Sequence, residues 1–364
     1  MSRATASPRV PRVLLLGPYP PPWGGVQTNL VALRDFLRRR GIPCAAINLT
    51  RHRRADGDDV YFPHGPAGVL ALLVRHRYEV THLHIGGDLS TRLLLLGLAC
   101  CLLPWTKVVL TFHSGGYPTS PQGRRARPRS WRGFVLRRFD RHIAVNSELA
   151  TLFRRFGCAE RQVRVIAPHG WSSDLAADLA AAEVPPAIAR FANVHTPLLV
   201  TASGLEPEYD LPLQVDALGE LRRSHRRAGL VILGSGSQEA TLRRYVAGTE
   251  WAEHVLIAGD LTHPVALKIM TLASVFLRTT LYDGDAISVR EALWLGVPVI
   301  ASNNGMRPAG VRVVPMHDLA ALVTTIEETL TLGPGTRPTV DGALAGIGEE
   351  NLEATLRLYR ELVS

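Results

Sequence analysis

Short, almost wholly apolar runs recur along this chain, spaced so that one helix fits between each pair, and that rhythm constrains the fold more than any motif does. The first half carries "RVLLLG" from Arg12, "CAAINL" from Cys44, "YEVTHLHI" from Tyr78, "KVVLTFH" from Lys107, "RHIAVNS" from Arg141 and "QVRVIAPHG" from Gln162. The second half repeats the grammar with "PLLVTAS" from Pro197, "GLVILGSG" from Gly229, "VLIAG" from Val255, "SVFLRT" from Ser274 and "PVIAS" from Pro298. Strands that are apolar throughout are covered on both faces, which is the condition of a parallel sheet between two helix layers. Helical patterns stand between the runs, as at residues 27–40, where Gly41 can close the helix in the left-handed conformation. The expected architecture is α/β, with two tandem Rossmann-like, doubly wound domains at residues 1–185 and 186–345. A Gly/Pro-rich stretch, 333–348, then leads to a last helical segment at 346–364 that can dock back on the first domain. In an open sheet of this kind, ligands gather at the carboxyl ends of the strands.

Length and charge narrow the class further. A chain of 364 residues that is 46% hydrophobic can bury two cores. The four cysteines (Cys44, Cys100, Cys101, Cys158) show neither zinc spacing nor a disulfide framework, and read as buried residues of a reducing compartment. No apolar stretch precedes Val13, so no secretory signal is expected. The most apolar run, 93–105, has 13 residues and contains Pro104, short of the roughly 17 to 25 that a spanning helix needs. A cytoplasmic protein is expected. Residues 1–190 carry 27 basic against 12 acidic side chains, whereas the remainder carries 14 against 20. The basic clusters at 38–40, 51–54 and 124–129 lack the interleaved aromatics of a base-stacking platform, which disfavours nucleic acid. They suit an anionic membrane surface, on the inner face of the cell membrane, or a phosphate-bearing acceptor.

The chemistry concentrates in "RTTLYDGDAISVREALWLGVPVIASNNG", residues 278–305. Asp283 and Glu291 stand eight apart, with Gly284, Asp285, Ala286 and Ile287 between them at a helix start. Backbone amides running into a helix N-terminus suit an anion such as a diphosphate. Carboxylates there can accept from sugar hydroxyls, although the same pair can simply cap the helix. "LGSGSQE" places Gly234 and Gly236 between a strand and a helix, a weak phosphate-loop signal that lacks the third glycine of a dinucleotide fingerprint.

Across these segments, the whole chain resembles the retaining glycosyltransferases of the GT-B fold, family 4, also called group 1. "DGDAISVREALWLGVPVIAS" is similar to the family's Glu, seven residues, Glu signature, with Asp283 as the first carboxylate and Glu291 as the second. "GPYPPPWGGVQTNL", "VTHLH", "LTFH", "AVNSE", "VIAPHG" and "VILGSG" extend the likeness over nearly the full length. The resemblance implies two Rossmann-like domains with a cleft between them. It implies a UDP- or GDP-linked sugar donor, a cell-envelope polysaccharide or glycolipid acceptor, no metal and no other cofactor. Glu291 would hold the ribose and Asp283 the sugar hydroxyls, with the amides of Gly284, Asp285, Ala286 and Ile287 on the diphosphate and sugar. Gly24 and Gly25 would admit the phosphates to the backbone, Gly234 and Gly236 would line the nucleotide side, and His113 would contact the transferring sugar.

One departure bears on the activity. The family's diphosphate-neutralising Arg and Lys fall on Gly204 and Tyr209 of "TASGLEPEYDLPL". Arg278 is the first choice to replace them, with Arg290 and Arg307 behind it. Arg278 can equally pair with Asp283 or Asp285. An active transferase is therefore set against a catalytically silent nucleotide- or partner-binding protein and, more distantly, an epimerase.

Overall fold

The computed structural model describes residues 10–51, 54–168, 175–305, 307–332 and 349–364. The Gly/Pro-rich stretch 333–348 and the end of "VIAPHG" lie outside the described residues. Among those described, contacts divide the chain into two compact units, residues 10–21, 26–168 and 349–364 forming one, and 22–25 with 175–332 the other. Residues 175–185 thus fall with the second unit, where Lys268 Nζ donates to Leu179 O at 3.2 Å.

The first unit is built on a seven-stranded sheet of order β3-β2-β1-β4-β5-β6-β7, comprising β1 (Val13–Gly17), β2 (Cys44–Asn48), β3 (Val60–Tyr61), β4 (Val80–Ile85), β5 (Lys107–Phe112), β6 (Arg141–Ala144) and β7 (Val163–Val165). The second has six strands in the order β10-β9-β8-β11-β12-β13, comprising β8 (Leu198–Ala202), β9 (Gly229–Leu233), β10 (Val255–Gly259), β11 (Val275–Arg278), β12 (Val299–Ser302) and β13 (Val311–Val314). Every pairing between these strands is parallel. Each apolar run in the sequence is a strand. β3 and β13 are the additions, and both are edge strands, which are covered less and so need no continuous apolar run. Each chain path moves outward for three strands and returns beside the first. Topological switch points therefore lie between β1 and β4 and between β8 and β11.

Both faces of each sheet are filled. Val13, Leu14, Leu15 and Leu16 of β1 are each 1% exposed or less, and alternate between two core clusters. The helix Glu349–Val363 belongs to the first unit, burying Leu352, Leu356, Leu358 and Tyr359 among Val13, Leu15, Leu33 and Phe36. Its rim pairs, Arg40 with Glu349 at 3.3 Å and with Glu353 at 2.5 Å, are solvent-facing and worth about 0 to 1 kcal/mol each. Fully burying one leucine contributes about 1.5 to 3 kcal/mol, so packing holds this helix. The helix Thr91–Cys101 lays Leu94, Gly97 and Cys100 on the core and leaves Leu95 exposed. No described helix is long and apolar enough to cross a membrane. The four cysteines are unpaired, and burial pushes each thiol up to about 12.

Candidate active site

β11 ends at Arg278, and the chain then runs through a loop into the helix Ile287–Trp294. Arg278 is 7% exposed and grips Asp283 in a fork, Nη2 to Oδ1 at 2.7 Å and Nε to Oδ2 at 3.3 Å. Its Nη1 donates to Ala202 O, at the end of β8, at 2.9 Å. The guanidinium therefore spans the switch point of the second sheet. Arg307 reaches the same carboxylate, Nη1 to Asp283 Oδ2 at 2.7 Å, while its Nε donates to Ser302 O at 2.9 Å. Two buried cations thus share one buried anion, with one positive charge in excess. Burial disfavours the charge on both. At Arg278, Asp283 and Tyr209 outweigh that penalty and hold the pKa above the usual arginine value, whereas at Arg307 burial prevails and lowers it. Arg307 Nη2 is buried, and no group among the described residues accepts from it.

The segment before the helix Leu211–Leu221 completes this cluster. The Arg278 guanidinium lies 4.7 Å from the centre of the Tyr209 ring. A Cβ built on Gly204 would come within 3.1 Å of Tyr209 Cε2. The two positions that lack the expected cations are therefore neighbours, and the Tyr209 ring carries an arginine delivered from β11. Thr279 Oγ1 donates to Tyr209 O at 2.9 Å and Leu281 N to Glu208 O at 2.8 Å, which fixes this arrangement.

On the helix side, Asp285 pairs through both oxygens with Arg290, each at 2.7 Å. Burial raises the Asp285 carboxyl against the pull of Arg290. Ala286 begins the helix Ile287–Trp294 and offers no side-chain cap, unlike Ser90, Ser120, Ser130, Asn146 and Asp318 at other helices. Glu291, 4% exposed, meets His263 Nε2 at 2.7 Å through Oε1. His263 carries no motif signal in the sequence; its position at the start of the helix His263–Met270, after β10, is the feature that would find it. Gly234 and Gly236 are explained by packing, because a Cβ would meet Ser203 O at 1.9 Å and Leu205 O at 2.4 Å respectively. Gly24 and Gly25 sit in the segment 22–25, and a Cβ on Gly25 would meet nothing nearer than 3.8 Å. Packing alone does not demand glycine at position 25.

In the first unit, His113 follows β5, its amide donating to Ile85 O at 2.8 Å. Its Nε2 lies 3.3 Å from His84 Nδ1. His82 is bonded through Nδ1 to Tyr359 Oη at 2.5 Å and through Nε2 to Thr111 Oγ1 at 2.7 Å. Burial pushes His82 and His113 down to about 3 and His84 well below its usual value. A shallow pocket, with about 300 Å³ of empty space that includes open solvent and with polar and apolar side chains alike in its lining, lies beside His82, His84 and Thr111 and reaches Asn351 and Thr355 of the C-terminal helix. Among the described residues, no group of three or more His, Cys, Asp or Glu side chains could hold a metal ion.

Comparison with known proteins bears on both units. Residues 23–169 match the family described as Glycosyltransferase Family 4, and residues 189–312 match Glycosyl transferases group 1. The chain belongs to the family 4, group 1 glycosyltransferases. A GDP-mannose-dependent alpha-(1-6)-phosphatidylinositol monomannoside mannosyltransferase of Mycobacterium tuberculosis is 33% identical to this family 4 chain over 141 residues, 37% of the chain and 36% of that protein. A Corynebacterium glutamicum protein named for the monoacylated form of that substrate is 28% identical over 171 residues, 44% of the chain and 43% of its own length. The family 4 chain thus spans less than half the length of these curated relatives. Among solved structures, Anabaena HepE in complex with UDP-glucose superposes with a TM-score of 0.72 at 16% identity, over 96% of this chain and 99% of that one. Sucrose-phosphate synthase from Thermosynechococcus elongatus gives 0.68 at 18%, over 97% and 99%. The fold is that of the GT-B proteins, with two Rossmann-like domains.

Proposed function

We propose that this chain is a metal-independent, retaining glycosyltransferase that moves a sugar from a UDP- or GDP-linked donor to a cell-envelope glycan or glycolipid. The observation that carries the reading is the Arg278, Arg307 and Asp283 cluster at the carboxyl end of β11, beside a helix start without a side-chain cap. A leaving diphosphate gathers negative charge in the transition state, and preorganised donors in a site shielded from water are the usual means of stabilising it. Arg307 Nη2 is a donor without an acceptor among the described residues, and arginine binds two phosphate oxygens in one plane. In this reading Asp283 holds the two arginines ready, Glu291 takes the ribose hydroxyls and His113 meets the sugar. The donor's own phosphate then takes the acceptor's proton on the face that the nucleotide leaves. The curated relatives' names make GDP-mannose the first donor to test and a phosphoinositide mannoside the first acceptor.

A silent nucleotide-binding protein is the second reading, favoured by one observation: Arg278 and Glu291 both already have protein partners. Donor-dependent release of nucleoside diphosphate, with and without acceptor and with and without a chelator, separates the readings. Acceptor-dependent release that survives the chelator and yields product of the donor's anomeric configuration is the expected result. Nucleotide binding without release, for every UDP and GDP sugar, would select the silent protein.

A further inference from the structure

We infer that His84 is a positioning residue that fixes His113 in one neutral tautomer, with its proton on Nδ1, so that His113 meets the donor sugar as a hydrogen-bond donor. The inference rests on the proposed role of His113 at the sugar, but the tautomer itself follows from the first unit alone. His113 Nε2 and His84 Nδ1 are 3.3 Å apart, and the two rings stack with centroids at 5.6 Å and planes 22° apart. His84 also lies against His82, with ring centroids 4.1 Å apart. His82 is itself anchored through Tyr359 Oη and Thr111 Oγ1, so a strand and the C-terminal helix together brace the stack.

Burial keeps all three rings neutral near pH 7, so each carries a single N–H. One proton must therefore lie between His84 Nδ1 and His113 Nε2. His84 Nε2 decides whose it is, because it is buried and no group among the described residues bonds it. A buried N–H without an acceptor is rarer and costs more than a buried lone pair without a donor. His84 thus carries its proton on Nδ1 and donates to His113 Nε2. The remaining proton of His113 is then on Nδ1, the nitrogen that His84 does not occupy. A His113 held in this way polarises or orients a sugar hydroxyl by donating to its oxygen, and does not act as the base for the acceptor.

The full chain labelled with nitrogen-15 histidine, studied by long-range proton–nitrogen correlation near pH 7, reads each ring's tautomer directly. His113→Gln assigns the His113 signals. A single Nδ1–H pattern for His113 is expected in the wild type, with loss of that single pattern in His84→Phe. His84→Asn, whose amide N–H takes the place of the Nδ1–H, restores it. An Nε2–H pattern in the wild type, as a water accepting from His84 Nε2 would produce, overturns the inference, and so does an unchanged pattern in His84→Phe. If His84→Phe does not fold, the wild-type spectrum decides alone. The measurement needs no donor, so absent turnover would sink the transferase reading while leaving the tautomer standing.

Discussion

Asp283 shows how far a single carboxylate depends on its surroundings. By sequence it occupies a sugar-binding position; in the fold both its oxygens are taken by Arg278 and Arg307. Arg278→Ala leaves a buried acid facing one cation instead of two. Breaking a buried pair from one side costs about 3 to 5 kcal/mol, so a clear drop in melting temperature is expected. We also expect kcat to fall more than affinity for a nucleoside monophosphate, which lacks the second phosphate. Arg278→Lys, which keeps the charge but not the fork, should recover part of the stability and little of the rate. Wild-type turnover in either variant would remove Arg278 from the donor site. For Glu291→Ala, the loss of charged hydrogen bonds worth about 1.5 to 3 kcal/mol each should weaken nucleotide binding at least tenfold. Titration calorimetry on the folded variant checks this, and unchanged affinity would place the nucleotide elsewhere. Asp283 and Glu291 stood out in the sequence through the resemblance to the family signature, since their spacing by itself left a capping role open. Tyr209 stood out only as the place of a missing Lys and His263 not at all, because what they touch lies across from them in the fold.

At the scale of elements, the segment from Pro121 to Leu136 sets four exposed arginines, Arg124, Arg125, Arg127 and Arg129, beside exposed Trp131 and Phe134, whose rings stack at 5.7 Å. The basic cluster at 38–40 is partly neutralised, Arg38 by Asp58 at 2.7 Å and Arg40 by Glu349 and Glu353. We expect reversible binding to anionic vesicles to run mainly through the 124–129 cluster, each arginine contributing about 1 kcal/mol at low salt. Replacing all four with glutamate should abolish co-sedimentation with anionic vesicles, whereas the same change at Arg38 should have little effect. Equal binding to neutral vesicles, or binding that persists as salt rises, would rule the electrostatic account out.

For the whole molecule, acid is the discriminating condition. His82, His84, His113 and His142, all in the first unit, have their pKa values pushed down by burial, His142 to about 4. The unfolded chain binds protons at these positions from about pH 6.5 downward, whereas the folded chain does not until near pH 4 or below. Stability of the first unit should therefore fall as pH drops through that window, by up to about 1.4 kcal/mol per pH unit for each histidine. Hydrogen exchange at pH 7.5 and pH 5 should show β4 and β5 losing protection before β8 and β9, and the reverse order would contradict the burial account. Eleven strands and their parallel pairing could be read from the chain, because apolar runs and glycine-bearing turns are local features. The pairing of Arg278 with Asp283 was one of the alternatives the sequence offered, but the arrival of Arg307 on the same carboxylate, the stacking of Arg278 on Tyr209, and the bond from His82 to Tyr359, 277 residues away, could not be read. Those contacts depend on which strand returns beside which and on where the last helix comes to rest. Only the folded chain brings such distant side chains within hydrogen-bonding distance.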